Sequence, residues 1–174
     1  SDRYNLEHQT ASPSMDTLTR LSTRHRILEN LRLEWERALR TNEPVSLVLL
    51  DLDGFKAFNR AHGYLAGNKA LTTISNRLSR EIRGAGTEVA RFSGNEFAVL
   101  LPGYPKSDAV EIASRLQDAV SQLKIENRAN NNTSVLTATA GSATVLPSQE
   151  TSLYTLVDHA AAEVKSAKQA GNRP

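Results

Sequence analysis

Residues 88–101 read EVARFSGNEFAVLL, two short runs of β-formers separated by Ser93-Gly94-Asn95-Glu96. Glycine and asparagine tolerate the positive φ of a tight turn, so the stretch predicts a β-hairpin, closed after its second strand by Pro102 and Gly103. Strands joined this way run antiparallel, so the sheet that holds them is at least partly antiparallel. The same four turn residues raise a second question, whether the turn only connects strands or also carries chemistry.

Upstream of the hairpin, VSLVLLDLD at 45–53 is a continuous apolar run bounded by Pro44 and Gly54, the pattern of a central strand buried on both faces. Before it, Ile27, Leu28, Leu31, Trp35, Ala38 and Leu39 recur at three- and four-residue steps from Ser22 onward, giving a helix that ends near Asn42-Glu43-Pro44 with Trp35 in the core. After a short FKAFNR segment and two glycines, Leu71, Ile74, Leu78 and Ile82 mark a second helix, with Asn68 as its expected cap. Ser107 is expected to cap a third helix carrying Val110, Ala113, Leu116, Val120 and Leu123 on one face. A polar asparagine-rich loop, a strand VLTATAG at 135–141 and a last helix through Leu153, Leu156, Val157, Ala160, Val164 and Ala167, stopped at Gly171, complete the pattern. The order α, β, α, β-hairpin, α, β, α predicts an α/β (α+β) fold with a single, mostly antiparallel central sheet covered by helices. Residues 1–13 read as a linker or tail, and 14–174 as one domain.

Composition narrows the function classes. The chain has 174 residues, 39% of them hydrophobic and 23% charged, and no apolar run approaches the roughly 20 residues that span a bilayer, so no membrane contact is expected. Its 21 basic and 19 acidic residues are interspersed and only 5% of residues are aromatic, which argues against a nucleic-acid surface. Without cysteine there are no disulfides or thiolate metal sites, compatible with a cytoplasmic location.

Asp51 and Asp53 stand two apart on one predicted strand, so both side chains face the same way, and paired carboxylates at a strand end suit a hard cation that keeps its waters and shares substrate phosphates. The bland alternative is that strand ends carry aspartate as a turn residue. His25 and His62 lack a partner at metal spacing and read as helix-surface and loop residues; Arg91 reads as a solvated strand-end charge.

The stretches DTLT at 16–19, LLDLDGFKAFN at 49–59 with HGYLAGN at 62–68, RFSGNEFAVLLP at 91–102 and AKQAGN at 167–172, in this order, resemble the GGDEF family of bacterial diguanylate cyclases. The resemblance implies a palm-like, nucleotidyl cyclase-like sheet. Active members of the family join two GTP molecules into cyclic di-GMP, two domains facing each other across a two-fold axis. Carried onto this chain, the family pattern makes Asp51 a magnesium ligand, with Leu52 contributing its backbone carbonyl. Phe55, Lys56, Asn59, Asn68, Gly94 and Lys168 become the nucleotide-binding set.

The departures are specific. The signature reads Ser93-Gly94-Asn95-Glu96-Phe97, so its first glycine is serine and its third position, normally acidic and the second metal ligand, is Asn95. An asparagine oxygen can coordinate magnesium but brings no charge, so ion affinity and proton acceptance fall. Glu96 is the neighbouring acid of the degenerate catalytic pair, and strand alternation would point it away from Asn95. Asn68 replaces an aspartate that accepts two hydrogen bonds from guanine, which weakens guanine selectivity. Asn172 replaces an arginine, although Arg173 follows, and the product-inhibition pair, falling on Gly84 and Thr87, is absent.

These features predict a degenerate GGDEF domain without cyclase activity, a regulatory, GTP-sensing or dimerising module of a larger multidomain signalling protein. Its expected partners are guanine nucleotide, a weakened magnesium site, an upstream sensor domain, a downstream phosphodiesterase domain of the EAL type, and a second copy in a homodimer. The alternative expectation is a weakly active diguanylate cyclase.

Overall fold

A computed structural model describes residues 14–129 and 134–171. The expected linker at 1–13, the asparagine loop at 130–133 and the positions Asn172 and Arg173 lie outside the described residues.

The apolar run at 45–53 forms β2, Val45–Leu52, the strand around which the rest is assembled. Its register with β4, Glu96–Pro102, and with β7, Ala138–Val145, is antiparallel on both sides. β3, Glu88–Arg91, pairs antiparallel with β4 as the hairpin predicts, and β1, Ser22–Thr23, adds a short parallel edge, giving the order β1-β3-β4-β2-β7. A separate two-stranded ribbon joins β5, Glu126–Asn127, to β6, Ser134–Val135.

Strand alternation sorts β2 between two cores. Val45, Leu47 and Leu49 pack with α1, Arg24–Thr41, and α5, Leu153–Ala170, in a cluster that includes Trp35 and Leu156. Val48, Leu50 and Leu52 face α2, Phe55–His62, α3, Tyr64–Glu81, and α4, Lys106–Gln122, among Phe58, Ile74, Phe97 and Leu116. Each leucine here is at least 97% buried, and such burial contributes about 1.5–3 kcal/mol per side chain. A strand apolar on both faces therefore had to be central, and the sheet is covered on both sides.

Three local expectations change. The stretch after β2 is two helices rather than one, the short FKAFNR segment being helical itself and Gly63 at φ 89° breaking the path between them. Asn68 consequently lies inside α3 and caps nothing; Gly63 occupies the cap position. Helix α4 begins at Lys106 with Pro105 before it, so Ser107 is within the first turn rather than the cap. The strand expected at 135–141 is divided, since Leu136 turns fully into the core, and its second part continues to Val145 past Gly141. The first helix keeps its expected place: Thr23 Oγ1 accepts from Arg26 N at 3.3 Å, and Asn42 closes it in the left-handed region at φ 55°.

Candidate functional site

Asp51 continues the phase of Leu47 and Leu49, which directs it to the α5 side at the end where β2 stops. Lys168, on the last turn of α5, meets it there: Nζ lies 3.2 Å from Asp51 Oδ1 and 3.3 Å from Asp53 Oδ1. The lysine side chain is only 14% exposed, so this is a partly desolvated ion cluster, not a solvated surface pair. Asp53 is further fixed by two threonine hydroxyls, Thr139 Oγ1 on Oδ1 and Thr137 Oγ1 on Oδ2, each at 2.7 Å. Asp51 and Asp53 do face one way, as expected, but Asp53 is anchored into β7 and its approach.

The turn of the hairpin completes the arrangement. Asn95 Nδ2 donates to Asp51 Oδ1 at 3.0 Å, and Asn95 O accepts from Leu52 N at 3.1 Å. An amide beside a carboxylate gains only by turning its NH₂ towards it, since two oxygens would repel. Glu96 stands directly opposite Asp51 in the β2–β4 register, and its Oε1 accepts from Ser93 Oγ at 2.6 Å. Alternation does not turn Glu96 away from Asp51, because Asn95 belongs to the turn and not to the strand. Burial pushes the Asp51 carboxyl above the usual aspartate value; Lys168 opposes this, while the charges of Glu96 and Asp53 add to it.

Beside this cluster opens a cavity of about 570 Å³. Asp51, Leu52, Gly94, Asn95 and Lys168 form one wall; Phe55, Lys56, Asn59 and Asn68, from α2 and α3, form another. The fold thus gathers around one space the expected metal and nucleotide positions, Asp51, Leu52, Asn95, Phe55, Lys56, Asn59, Asn68, Gly94 and Lys168, whereas Glu96 is not on its wall. Phe55 is 8% exposed and stacks on Phe58 with ring centroids 5.8 Å apart. Asn59 lines the cavity, while its Oδ1 is buried and accepts no hydrogen bond among the described residues.

Sequence reasoning left some residues out. Tyr64 and Leu71 also line the cavity, and Leu71 had been indistinguishable from a core position of its helix. Arg91 is not a solvated charge: it lines the cavity, pairs with Asp16 at 3.3 Å and donates to Gly94 O at 2.9 Å. Its place beside the turn was the available signal. His62 has a packing role, stacking on Phe58 at 4.4 Å and accepting from Arg128 N at 2.9 Å.

The donor set departs from what a divalent cation needs. At the turn an amide N–H, not a second carboxylate, faces Asp51, and an ammonium shares the same Oδ1. Among the described residues no group of three or more His, Asp or Glu side chains is arranged to hold a metal.

The profile of the family described as "Diguanylate cyclase, GGDEF domain" matches residues 13–174. Diguanylate cyclase DgcP of Pseudomonas aeruginosa is 37% identical over 116 residues, which cover 67% of this chain and 17% of that protein. The bifunctional diguanylate cyclase/cyclic di-GMP phosphodiesterase MucR of the same species is 33% identical over 107 residues, 62% of this chain and 16% of that protein. Among solved structures, diguanylate cyclase SiaD of Pseudomonas aeruginosa, crystallised with its activator SiaC, superposes with a TM-score of 0.80 at 31% identity, covering 99% of this chain and 64% of that one. The chain belongs to the GGDEF family, the diguanylate cyclase domain of cyclic di-GMP signalling. It spans about a sixth of the length of the two curated relatives. Among the described residues no helix is long and apolar enough to cross a membrane.

Proposed function

We propose that this domain binds a guanine nucleotide in the cavity beside Asp51 without converting it, and serves as a regulatory, GTP-sensing or dimerising module of a larger signalling protein. The observation that carries this reading is the Asn95 amide directed at Asp51 across 3.0 Å. Joining two nucleotides requires cations that offset phosphate charge and a group that takes the 3′-hydroxyl proton. An amide supplies neither a charge for the ion nor a base for the proton. The cavity keeps what binding needs: Lys56, Arg91 and Lys168 for phosphates, and Asn59 and Asn68 for a base edge. The partners that suit this role are an upstream sensor domain and a downstream EAL-type phosphodiesterase domain, the latter in line with MucR combining both activities in one protein.

Weak cyclase activity is the second reading, favoured by one feature, the position of Glu96 opposite Asp51. Swinging its carboxylate to the turn would cost the 2.6 Å bond to Ser93. Incubation of the purified domain, free and artificially paired, with GTP and magnesium or manganese, followed by nucleotide chromatography, decides between them. Unchanged GTP is expected; appreciable cyclic di-GMP overturns the inactive reading.

A further inference from the structure

The two departures in the signature are complementary. Ser93 puts a hydroxyl on Glu96, and Asn95 puts an amide N–H on Asp51. With Lys168 Nζ within 3.3 Å of both Asp51 and Asp53, every carboxylate around the turn is met by a donor of the protein itself. The ammonium bridges two carboxylates, as a bound cation would, and α5 holds it in place. We propose that Asn95 and Lys168 together stand in for the divalent cation, so that the cavity takes its guanine nucleotide without one; the inference rests on the nucleotide-binding reading above.

The physical case is one of competition. A magnesium ion entering at Asp51 must displace Lys168 from Oδ1 and turn the Asn95 amide round, and it finds Asp53 already engaged, Oδ1 by Thr139 and Lys168 and Oδ2 by Thr137. Magnesium is dehydrated reluctantly, so so small a donor set offsets little of that cost. A nucleotide arriving alone finds the side chains of Lys56, Arg91 and Lys168 on the cavity wall. Replacing Asn95 by aspartate reverses the balance, because a further carboxylate about 3 Å from Asp51 adds more negative charge than the single Lys168 ammonium, already shared with Asp53, can offset.

The test is isothermal titration calorimetry of this chain with GTP, once in excess EDTA and once in excess magnesium chloride, with thermal melts of the nucleotide-free protein in the same buffers. For the wild-type chain the Kd should agree between buffers within about threefold, less than 1 kcal/mol by the tenfold-per-1.4 kcal/mol rule, and magnesium alone should leave Tm unmoved. Asn95→Asp should acquire both a magnesium-dependent Tm and magnesium-dependent binding. Wild-type binding that appears only with magnesium, or a wild-type Tm raised by magnesium, overturns the inference while leaving nucleotide binding intact. No saturable heat in either buffer sinks nucleotide binding and the inference together. The wild-type measurements decide the matter even if the aspartate variant does not fold.

Discussion

A Cβ placed on Gly67 would lie 1.9 Å from Oδ1 of Asn59, so the bare backbone of α3 is the surface against which the Asn59 side chain rests in the cavity. The atom in the way is the end of a flexible side chain, and Asn59 can rotate out. Gly67→Ala is therefore expected to separate stability from binding. Alanine is the better helix former by about 0.8–1.0 kcal/mol, which offsets the local rearrangement and leaves Tm nearly unchanged. GTP affinity should fall roughly tenfold, about the 1.4 kcal/mol of one misplaced hydrogen-bonding group. Melting curves and calorimetry on the same sample check this, and unaltered affinity would show that Asn59 does not touch the ligand.

Gly141 presents the opposite case. A Cβ there meets Val164 N at 2.6 Å, Glu163 Cβ at 2.8 Å and Ala160 O at 3.0 Å, two of them backbone atoms of α5. Backbone cannot rotate away, so the helix must lift from β7. Gly141→Ala should lower stability by about 1–3 kcal/mol, the usual cost of overpacking. Since α5 also delivers Lys168 to Asp51 and Asp53, nucleotide affinity should fall with it. Urea denaturation with GTP titration tests the pair of effects; a variant as stable as the wild type would mean that α5 packs more loosely than these distances indicate.

The close approach at Gly141 also marks where sequence reading stops. Alternation along VLTATAG showed a strand, and glycine reads there as an end; in the fold Gly141 makes room for α5 while pairing with β2 carries the strand on to Val145. Asp51 and the hairpin turn were legible because strand alternation and turn composition fix them locally, whereas Lys168 was carried by the resemblance alone. Their convergence was carried by family resemblance, since residues 51, 95 and 168 are far apart in the chain and no local rule brings them together. The hydroxyls of Thr137 and Thr139 on Asp53 were not legible for the same reason. Asn68 and Ser107 were misread as caps because suitable side chains occur near the true start, and Gly63 and Pro105 occupy the cap positions.

Asp16 offers a pH readout beside the hairpin turn. Its carboxylate accepts from Thr19 N at 2.9 Å and Thr19 Oγ1 at 2.7 Å and pairs with Arg91, which in turn donates to Gly94 O in the turn. Burial, the largest single influence, pushes the carboxyl up, but the Thr19 bonds and Arg91 together outweigh it and hold it below the usual value of 3.8. Because the folded form is then the stronger acid, the unfolded chain binds more protons near that pH. The stability that Asp16 contributes is thus complete above its unfolded pKa and is lost as pH falls through the folded one. Asp16→Asn removes this term, so the stability gap between wild type and variant should be constant from neutrality to about pH 5 and should close below about pH 4. Urea midpoints from pH 7 to pH 3 measure the gap; curves that stay parallel into acid would show that the fold does not stabilise the Asp16 carboxylate.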